Sequence, residues 1–439
     1  CALACAQGLG TISGAVTDPS GAAVAGAAVT VTEESTSLAR EARSGVEGFF
    51  TVPSLKPASY SLEVEAAGFK LFRMNGLRLQ ADQTLSVRVR LEIGIATETV
   101  RVEAAPVQVD TDTPTMRQVV DQDRMVELPL NGRNAAELTT LVAGVVAAPS
   151  SGVDQGNAKT MPGAVVVSMN GSRQGQVSFQ MDGGNNTDEY SNANQPFPFP
   201  DALQEFSVQT SNYSAEHGLN AGGVVNVITK SGTNQYHGSA FGFLRNAIFN
   251  ARNYFASSRD PLKRGQYGGT FGGPVTIPGL YEGKDRTFFF AGYQGTKIRT
   301  SLQSPNAFVP TQANLAGDFS TLLDRNNPDN PLGRAVQLRD PVGGTPFAGN
   351  RIPISRFDPA ALNLTKAIPS AGGKGLIFYS VPQRRDFNEV LLRGDHALSA
   401  ADRLTGRYYY DRFVNAGSFN PQNLIAYRDQ AVIVSQNLL

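Results

Sequence analysis

The chain has 439 residues, with 38 basic and 38 acidic side chains, 45 Gly, two Cys and no Trp. Zero formal charge excludes a chain-wide polybasic signal for nucleic acid or anionic lipid. Both Cys lie within the first five residues, and none of His217, His237 and His396 opens a metal-ligand spacing. That argues against a disulfide-stapled fold, a cysteine-zinc protein and a histidine-metal hydrolase.

Residues 1–9 read as the remnant of an export signal, because Ala2-Leu3-Ala4 and Ala4-Cys5-Ala6 both fit a small-x-small cleavage pattern. A lipoprotein box and an arbitrary Ala-rich terminus are the alternatives. No stretch reaches the ~18 apolar residues of a membrane-spanning helix. Barrel strands escape that criterion, since they alternate outward-apolar and inward-polar residues.

Residues 10–93 read as short strands between turns. Thr11 to Val16 is the first, followed by the turn Asp18-Pro19-Ser20-Gly21. Ala28 to Thr32, Tyr60 to Glu65 and Leu85 to Leu91 alternate apolar and polar residues, and Phe49 to Val52 follows a Gly turn. This spacing predicts an antiparallel β-sandwich. Gly14-x-Val16-x-Asp18, Gly26 to Val31, Gly48-x-Phe50, Leu55-x-Pro57-x-x-Tyr60 and Ala67-Gly68-Phe69 together resemble the carboxypeptidase regulatory-like domain. The resemblance implies a transthyretin-like sandwich without peptidase chemistry, acting as an accessory periplasmic module or a spacer.

Residues 94–114 read as a linker carrying one alternating segment, Glu98-Thr99-Val100-Arg101-Val102-Glu103-Ala104, ahead of Pro106. From 115 to 146, apolar residues mark two short helical patches around the turn Leu128-Pro129-Leu130-Asn131-Gly132-Arg133-Asn134. Val165 to Gly171 and Val177 to Gly183 are strands running into Gly turns and read as a hairpin. Leu203 to Val208 is a strand after a helical turn, and Gly222 to Lys230 a glycine-opened buried strand.

In this order, residues 115–235 resemble the plug of a TonB-dependent outer-membrane receptor. The carriers are Gln180-Met181-Asp182-Gly183, Leu203-Gln204-Glu205-Phe206-Ser207-Val208, and His217-Gly218 through Lys230. The Leu128 to Asn134 motif points to the Oar-like subgroup with an N-terminal regulatory-like domain. Asn170-Gly171 stands where many members carry an Arg-Gly pair, so no plug–barrel salt bridge is carried over to Asn170. Within the resemblance, Glu98, Thr99, Val100, Arg101, Val102, Glu103 and Ala104 fall where the TonB box lies. An extended segment of that kind can add its backbone to the sheet edge of a TonB-type periplasmic energy transducer. An ordinary linker strand is the alternative.

Residues 236–439 turn to aromatic alternation and long polar loops, as in Ser239 to Arg245, Tyr267 to Ile277, Thr287 to Gln294, Val390 to His396, Leu404 to Tyr410 and Ala431 to Val434. Aromatic strand ends suit the interfacial girdles of an outer-membrane barrel in contact with lipid, and a soluble sandwich is the alternative that the plug resemblance disfavours. The polar region from Thr300 to about Ser380, with Asp324 to Pro331, lacks calcium-loop spacing and reads as turn chemistry in a long extracellular loop. About six strands are legible, whereas plugged transporters have ~22. The expectation is therefore a partial, truncated barrel and an N-terminal fragment of a receptor.

The expected fold is mainly β: a sandwich, an α+β plug and the first strands of a transmembrane antiparallel barrel. The resemblance implies import of an unidentified substrate (carbohydrate, peptide or chelate) by TonB-driven plug rearrangement at the bacterial outer membrane, with the sandwich and TonB box in the periplasm. A structural or adhesive outer-membrane protein without an import cycle is the alternative. No catalytic residue, metal ligand, cofactor or nucleic-acid partner is expected. Asp182, Asp188, Glu189 and Tyr190 are substrate-contact candidates by position, with turn chemistry the competing explanation. Charge divides along the chain: residues 1–235 hold 15 basic and 24 acidic side chains, and residues 236–439 hold 23 and 14. A basic barrel seating an acidic plug is one account of that division.

Overall fold

The computed structural model describes residues 9–95, 99–103, 114–128, 130, 132–147, 164–173, 175–189, 192–217, 220–252, 259, 261–302, 306–379, 381–400 and 402–439. Two sheets form the N-terminal sandwich. One contains β1 (Gly10–Thr17), β4 (Phe49–Leu55) and β7 (Thr84–Arg90), in the order β4-β1-β7. The other contains β2 (Ala28–Glu33), β3 (Ala39–Arg43), β5 (Ala58–Glu65), β6 (Leu71–Leu79) and β8 (Thr99–Glu103), in the order β3-β2-β5-β6-β8. Strict alternation drives this packing: β1 buries every second residue, and Ile12, Val16, Val31, Leu62, Val64 and Val89 are almost fully enclosed between the sheets. Gly14 is required at its site, because a Cβ there would lie 2.1 Å from the Val87 carbonyl oxygen.

The second unit is a mixed sheet with the order β13-β12-β15-β14-β9. Its strands are β9 (Met116–Asp121), β12 (Val177–Met181), β13 (Gly184–Asn185), β14 (Leu203–Ser211) and β15 (Gly223–Thr229). A short helix Gln122–Glu127, N-capped by the Asp121 carboxylate, and a 3-10 turn Ala135–Leu141, capped by Asn134, lie beside it. All seven residues of β15 are buried. The hairpin expected between residues 165 and 183 does not form. Instead β11 (Val167–Met169) pairs with β10 (Val145–Ala147), while β12 runs parallel to β15. Gly223 opens β15 at φ 141°, and a Cβ on it would strike Met169 Sδ at 2.4 Å.

The last unit is an antiparallel sheet of six strands in the order β16-β17-β20-β23-β24-β25. These are β16 (His237–Asn246), β17 (Lys263–Pro274), β20 (Thr287–Leu302), β23 (Val381–Ala397), β24 (Arg403–Ala416) and β25 (Ala431–Leu438). A two-residue pair, β18 (Thr276–Ile277) and β19 (Tyr281–Glu282), decorates one turn, and β21 (Asn306–Phe308) pairs with β22 (Leu376–Phe378) in the long loop. One end of the sheet has short connections at 275–286 and 398–402. The other carries long ones, of which 303–380 is the longest.

Alternation assigns the two faces of this sheet. Along β24, Arg407, Tyr409, Asp411 and Phe413 are buried against the plug side, while Leu404 is 62% exposed on the other. Along β23, Leu391, Arg393 and Asp395 point inward and Leu392 outward. Leu244, Tyr267, Phe271, Leu392, Val432 and Val434 add to the exposed outer face. A polar lumen face backed by an apolar and aromatic outer face is the pattern of a strand sheet crossing a membrane. Phe290, Leu391 and Tyr409 of the lumen face share one core with Phe179, Phe199 and Phe206 of the plug. The sandwich core is separate from it.

Candidate functional site at the seam of sandwich, plug and barrel

Three carboxylates and four cations from the three units meet at the short-turn end of the sheet. Asp182 lies in the turn after β12 with φ 51°, and its backbone N–H donates to the Val227 carbonyl at 2.8 Å. Its Oδ1 accepts from Thr229 N and its Oδ2 from Thr229 Oγ1, both at 2.8 Å. The lumen face answers with two arginines. Arg393 Nη1 approaches Asp182 Oδ1 at 3.3 Å, and Arg407 Nε lies 2.6 Å from Oδ2. Arg393 Nε also donates to Asp395 at 3.0 Å, and Thr405 Oγ1 donates to the same carboxylate at 2.8 Å. Lys56, from the β4–β5 turn of the sandwich, completes the set by ion-pairing with Asp395. Arg403 reaches Glu33 of the sandwich at 3.4 Å. A cavity of about 390 Å³ adjoins this cluster, lined in part by Glu33, Lys56, Asp182, Thr229 and Arg393. Burial pushes the Lys56 ammonium below the usual lysine range, against the opposing pull of Asp395.

A second seam joins sandwich and plug. The β6–β7 turn presents Asp82, whose Oδ2 accepts from Gln209 Nε2 and Asn226 Nδ2, each at 3.2 Å. Ala81 N donates to Glu205 Oε1 at 3.0 Å, and Arg117 Nη1 donates to the Ala81 carbonyl at 2.5 Å. Burial lifts the Glu205 carboxyl to about 7; the Ala81 N–H and Arg117 oppose that rise and Asp82 adds to it.

A third contact explains the Leu128 to Asn134 motif. Gly132 and Arg133 take positive φ of 89° and 57°, which turns the Arg133 guanidinium onto the barrel wall. It stacks 4.6 Å from the Phe241 ring centroid and 4.5 Å from that of Phe243, and it ion-pairs with Asp201. Gln266 Nε2 donates to the Gly132 carbonyl at 2.9 Å. A cavity of about 270 Å³ opens beside it, lined among others by Arg133, Arg264, Gln294, Glu389 and Tyr409. In the long loop, Phe319, Phe347 and Phe357 line an apolar cavity of about 580 Å³. The Asp324–Asn330 segment is built from Asx turns, such as Asn326 N donating to Asp324 Oδ1 at 2.8 Å.

The residues singled out from sequence separate here. Asp182 is buried, and its carboxylate is committed to Thr229, Arg393 and Arg407, so it is a plug–barrel anchor and not an apical contact. Asp188 is half-buried and Glu189 exposed in the following loop, while Tyr190 lies outside the described residues. Thr99, Val100, Arg101, Val102 and Glu103 form β8, which pairs in parallel with β6 from Leu71↔Thr99 to Asn75↔Glu103. Glu98 and Ala104 lie outside the described residues. The segment at 99–103 is thus an edge strand of the sandwich, where the sequence suggests a linker. Lys56, Arg393, Asp395 and Arg407 were not singled out from sequence. The available signal was charged residues at the inward positions of alternating strands. Among the described residues, no three His, Cys, Asp or Glu side chains group as metal ligands, and no helix is long and apolar enough to cross a membrane.

Comparison with known proteins agrees with this architecture. Residues 11–92 match the carboxypeptidase regulatory-like domain, and residues 228–439 match the outer membrane beta barrel domain. Over 295 residues the chain is 28% identical to the TonB-dependent transporter Oar of Myxococcus xanthus, covering 64% of this chain and 26% of that protein. The chain is thus similar to a TonB-dependent transporter and carries matches to an outer-membrane barrel domain and a regulatory-like domain. Its location is the outer membrane. It spans about a quarter of the length of that curated relative. Among solved structures, a mutant ferric enterobactin receptor of Pseudomonas aeruginosa is 14% identical, covers 69% of this chain and 33% of its own, and has a TM-score of 0.38. The outer membrane transporter YddB of Escherichia coli is 12% identical, covers 68% and 33%, and has a TM-score of 0.39.

Proposed function

We propose that this receptor is an energised outer-membrane transporter in which residues 98–104 are the contact for a TonB-type periplasmic energy transducer. The observation that carries the reading is β8. It ends the sheet order β3-β2-β5-β6-β8, so β6 occupies one of its edges and, among the described residues, no strand pairs with the other, the edge a partner's strand would take. Val102 packs on the sandwich core, while Thr99 and Arg101 are exposed. The relatives are transporters and receptors, which supports a role in transport without covalent catalysis. The short turns of the sheet mark the periplasmic end by the usual asymmetry of outer-membrane barrels, and that end carries the sandwich.

The cargo in this reading is an unidentified carbohydrate, peptide or chelate. Asp188, Glu189 and Tyr190 of the plug and the apolar cavity of the long loop are its candidate contacts. Deleting residues 98–104 from the native receptor is expected to abolish uptake while leaving it in the outer membrane. Unchanged uptake would remove the transducer assignment. Unchanged uptake together with altered surface cohesion would favour the structural or adhesive alternative.

A further inference from the structure

Sandwich and plug keep separate apolar cores, and polar groups join them. Interfaces of that kind permit one unit to leave as a rigid body. The sandwich holds on mainly by its turns, with Glu33 at the end of β2 and Arg78 near the end of β6 adding ion pairs to Arg403 and Asp121. Lys56 reaches Asp395 of the barrel, Asp82 receives Gln209 and Asn226 of the plug, and the Ser35 carbonyl accepts from Asn234 N at 3.0 Å just before the first barrel strand. The side chains receiving it are deeply enclosed: Asn226 is 0% and Gln209 2% exposed.

Charge makes the contact reversible. When the sandwich leaves, Lys56 and Glu33 leave together; Arg393 and Arg407 still face Asp182 and Asp395, while Arg403 parts from Glu33. On departure Lys56 regains water, while Asp395 keeps Arg393 and Thr405. Asp182, Asp395, Arg393 and Arg407 all keep partners on undocking, so the large penalty for breaking a buried pair does not arise among them. The docked sandwich nonetheless bridges bodies that plug movement must separate. Lys56 is tied through Asp395 and Arg393 to Asp182, and Asp82 is tied directly to β14 and β15.

We propose that the N-terminal sandwich is a detachable clamp on the underside of the plug, binding plug strands β14 and β15 to barrel strand β23, and that it must undock before the plug can move. This rests on the transporter reading, in which the plug moves, and stands whether or not residues 98–104 receive the pull.

The test uses the full-length receptor in outer-membrane vesicles, with hydrogen exchange read separately in sandwich, plug and barrel. Lys56→Gln combined with Asp82→Asn is expected to speed exchange of the plug amides in Leu203–Ser211 and Gly223–Thr229 by roughly tenfold or more, as expected for losing charged hydrogen bonds. Sandwich and barrel amides should keep wild-type rates. As a second arm, Ser37→Cys and Asn234→Cys, joined by a short cleavable thiol linker in a background lacking Cys1 and Cys5, should slow plug exchange below wild type until the linker is cut. The proposal is overturned if plug exchange is unchanged in both arms, or if only sandwich amides respond.

Discussion

Glu205 offers a quantitative test of the sandwich–plug seam. Its carboxyl is buried where β14 meets the sandwich, and burial raises it from an ordinary 4.5 to about 7. Arg117, Arg78 and Asp82 are the charged neighbours, and His217 lies 4.0 Å from Asp82. A carboxyl raised in the folded state binds its proton more tightly there than when exposed. Docked stability therefore declines as pH rises from about 4.5 to about 7 and is level above that. At 1.36 kcal/mol per unit, the ionised form costs on the order of 3 kcal/mol above pH 7. Glu205→Gln retains an oxygen to accept from Ala81 N and removes the charge. It should leave stability near wild type at pH 4.5 and raise it by about 2–3 kcal/mol at pH 8. The assay is urea unfolding of the receptor with hydrogen exchange in β14 as the local readout, repeated from pH 4.5 to 8.5. If the variant keeps the wild-type slope across that window, Glu205 is not the titrating group and the reasoning fails.

Further expectations follow from other contacts. Arg133→Ala strips Asp201 of its cation and leaves Phe241 and Phe243 uncovered, so a loss of about 3 kcal/mol in plug stability is expected by denaturant titration. Arg133→Lys should recover only part, because an ammonium cannot stack as a planar guanidinium does. Gly14→Ala drives a Cβ to 2.1 Å from the Val87 carbonyl oxygen, and should lower sandwich stability by about 2–3 kcal/mol while plug and barrel exchange stay constant. Leu392→Arg, on the outer face of β23, should destabilise insertion into bilayers by about 2–4 kcal/mol if it sits near the midplane. A stability in bilayers equal to wild type would contradict the assigned lipid face.

Local pattern made most strands legible, and pairing across distance did not. β1 and β24 each bury alternate residues, and β15 is an apolar run behind Gly222-Gly223 interrupted by Asn226, so local pattern places them. The six strands of the last sheet were countable for the same reason. Val167–Met169 and Val177–Met181 misled because each runs into a Gly turn, which suggests a hairpin. β12 instead lies parallel to β15, a choice set by where Phe179 and Met181 find their core. β8 was legible as a strand, but its partner was not, since nothing local in Thr99–Glu103 specifies parallel pairing with β6.

Asp182 shows the same limit in the functional site. Its Gly turn reads as an apical tip from sequence, and only the inward arginines 211 and more residues away reveal a buried anchor. Charge counting came nearer, because Arg393 and Arg407 of the basic half do meet this carboxylate of the acidic half. The sandwich partly reverses that trend, since its Lys56 pairs with Asp395 of the barrel.

The role of β8 can be examined most directly in living cells. A photo-crosslinking residue at Arg101, exposed on β8, reports what approaches that edge. The account predicts an adduct with a TonB-type periplasmic protein, lost when Val102→Pro removes a backbone donor and bends the edge. No adduct at Arg101 or its exposed neighbour Thr99, in cells where the receptor still imports its substrate, would contradict it.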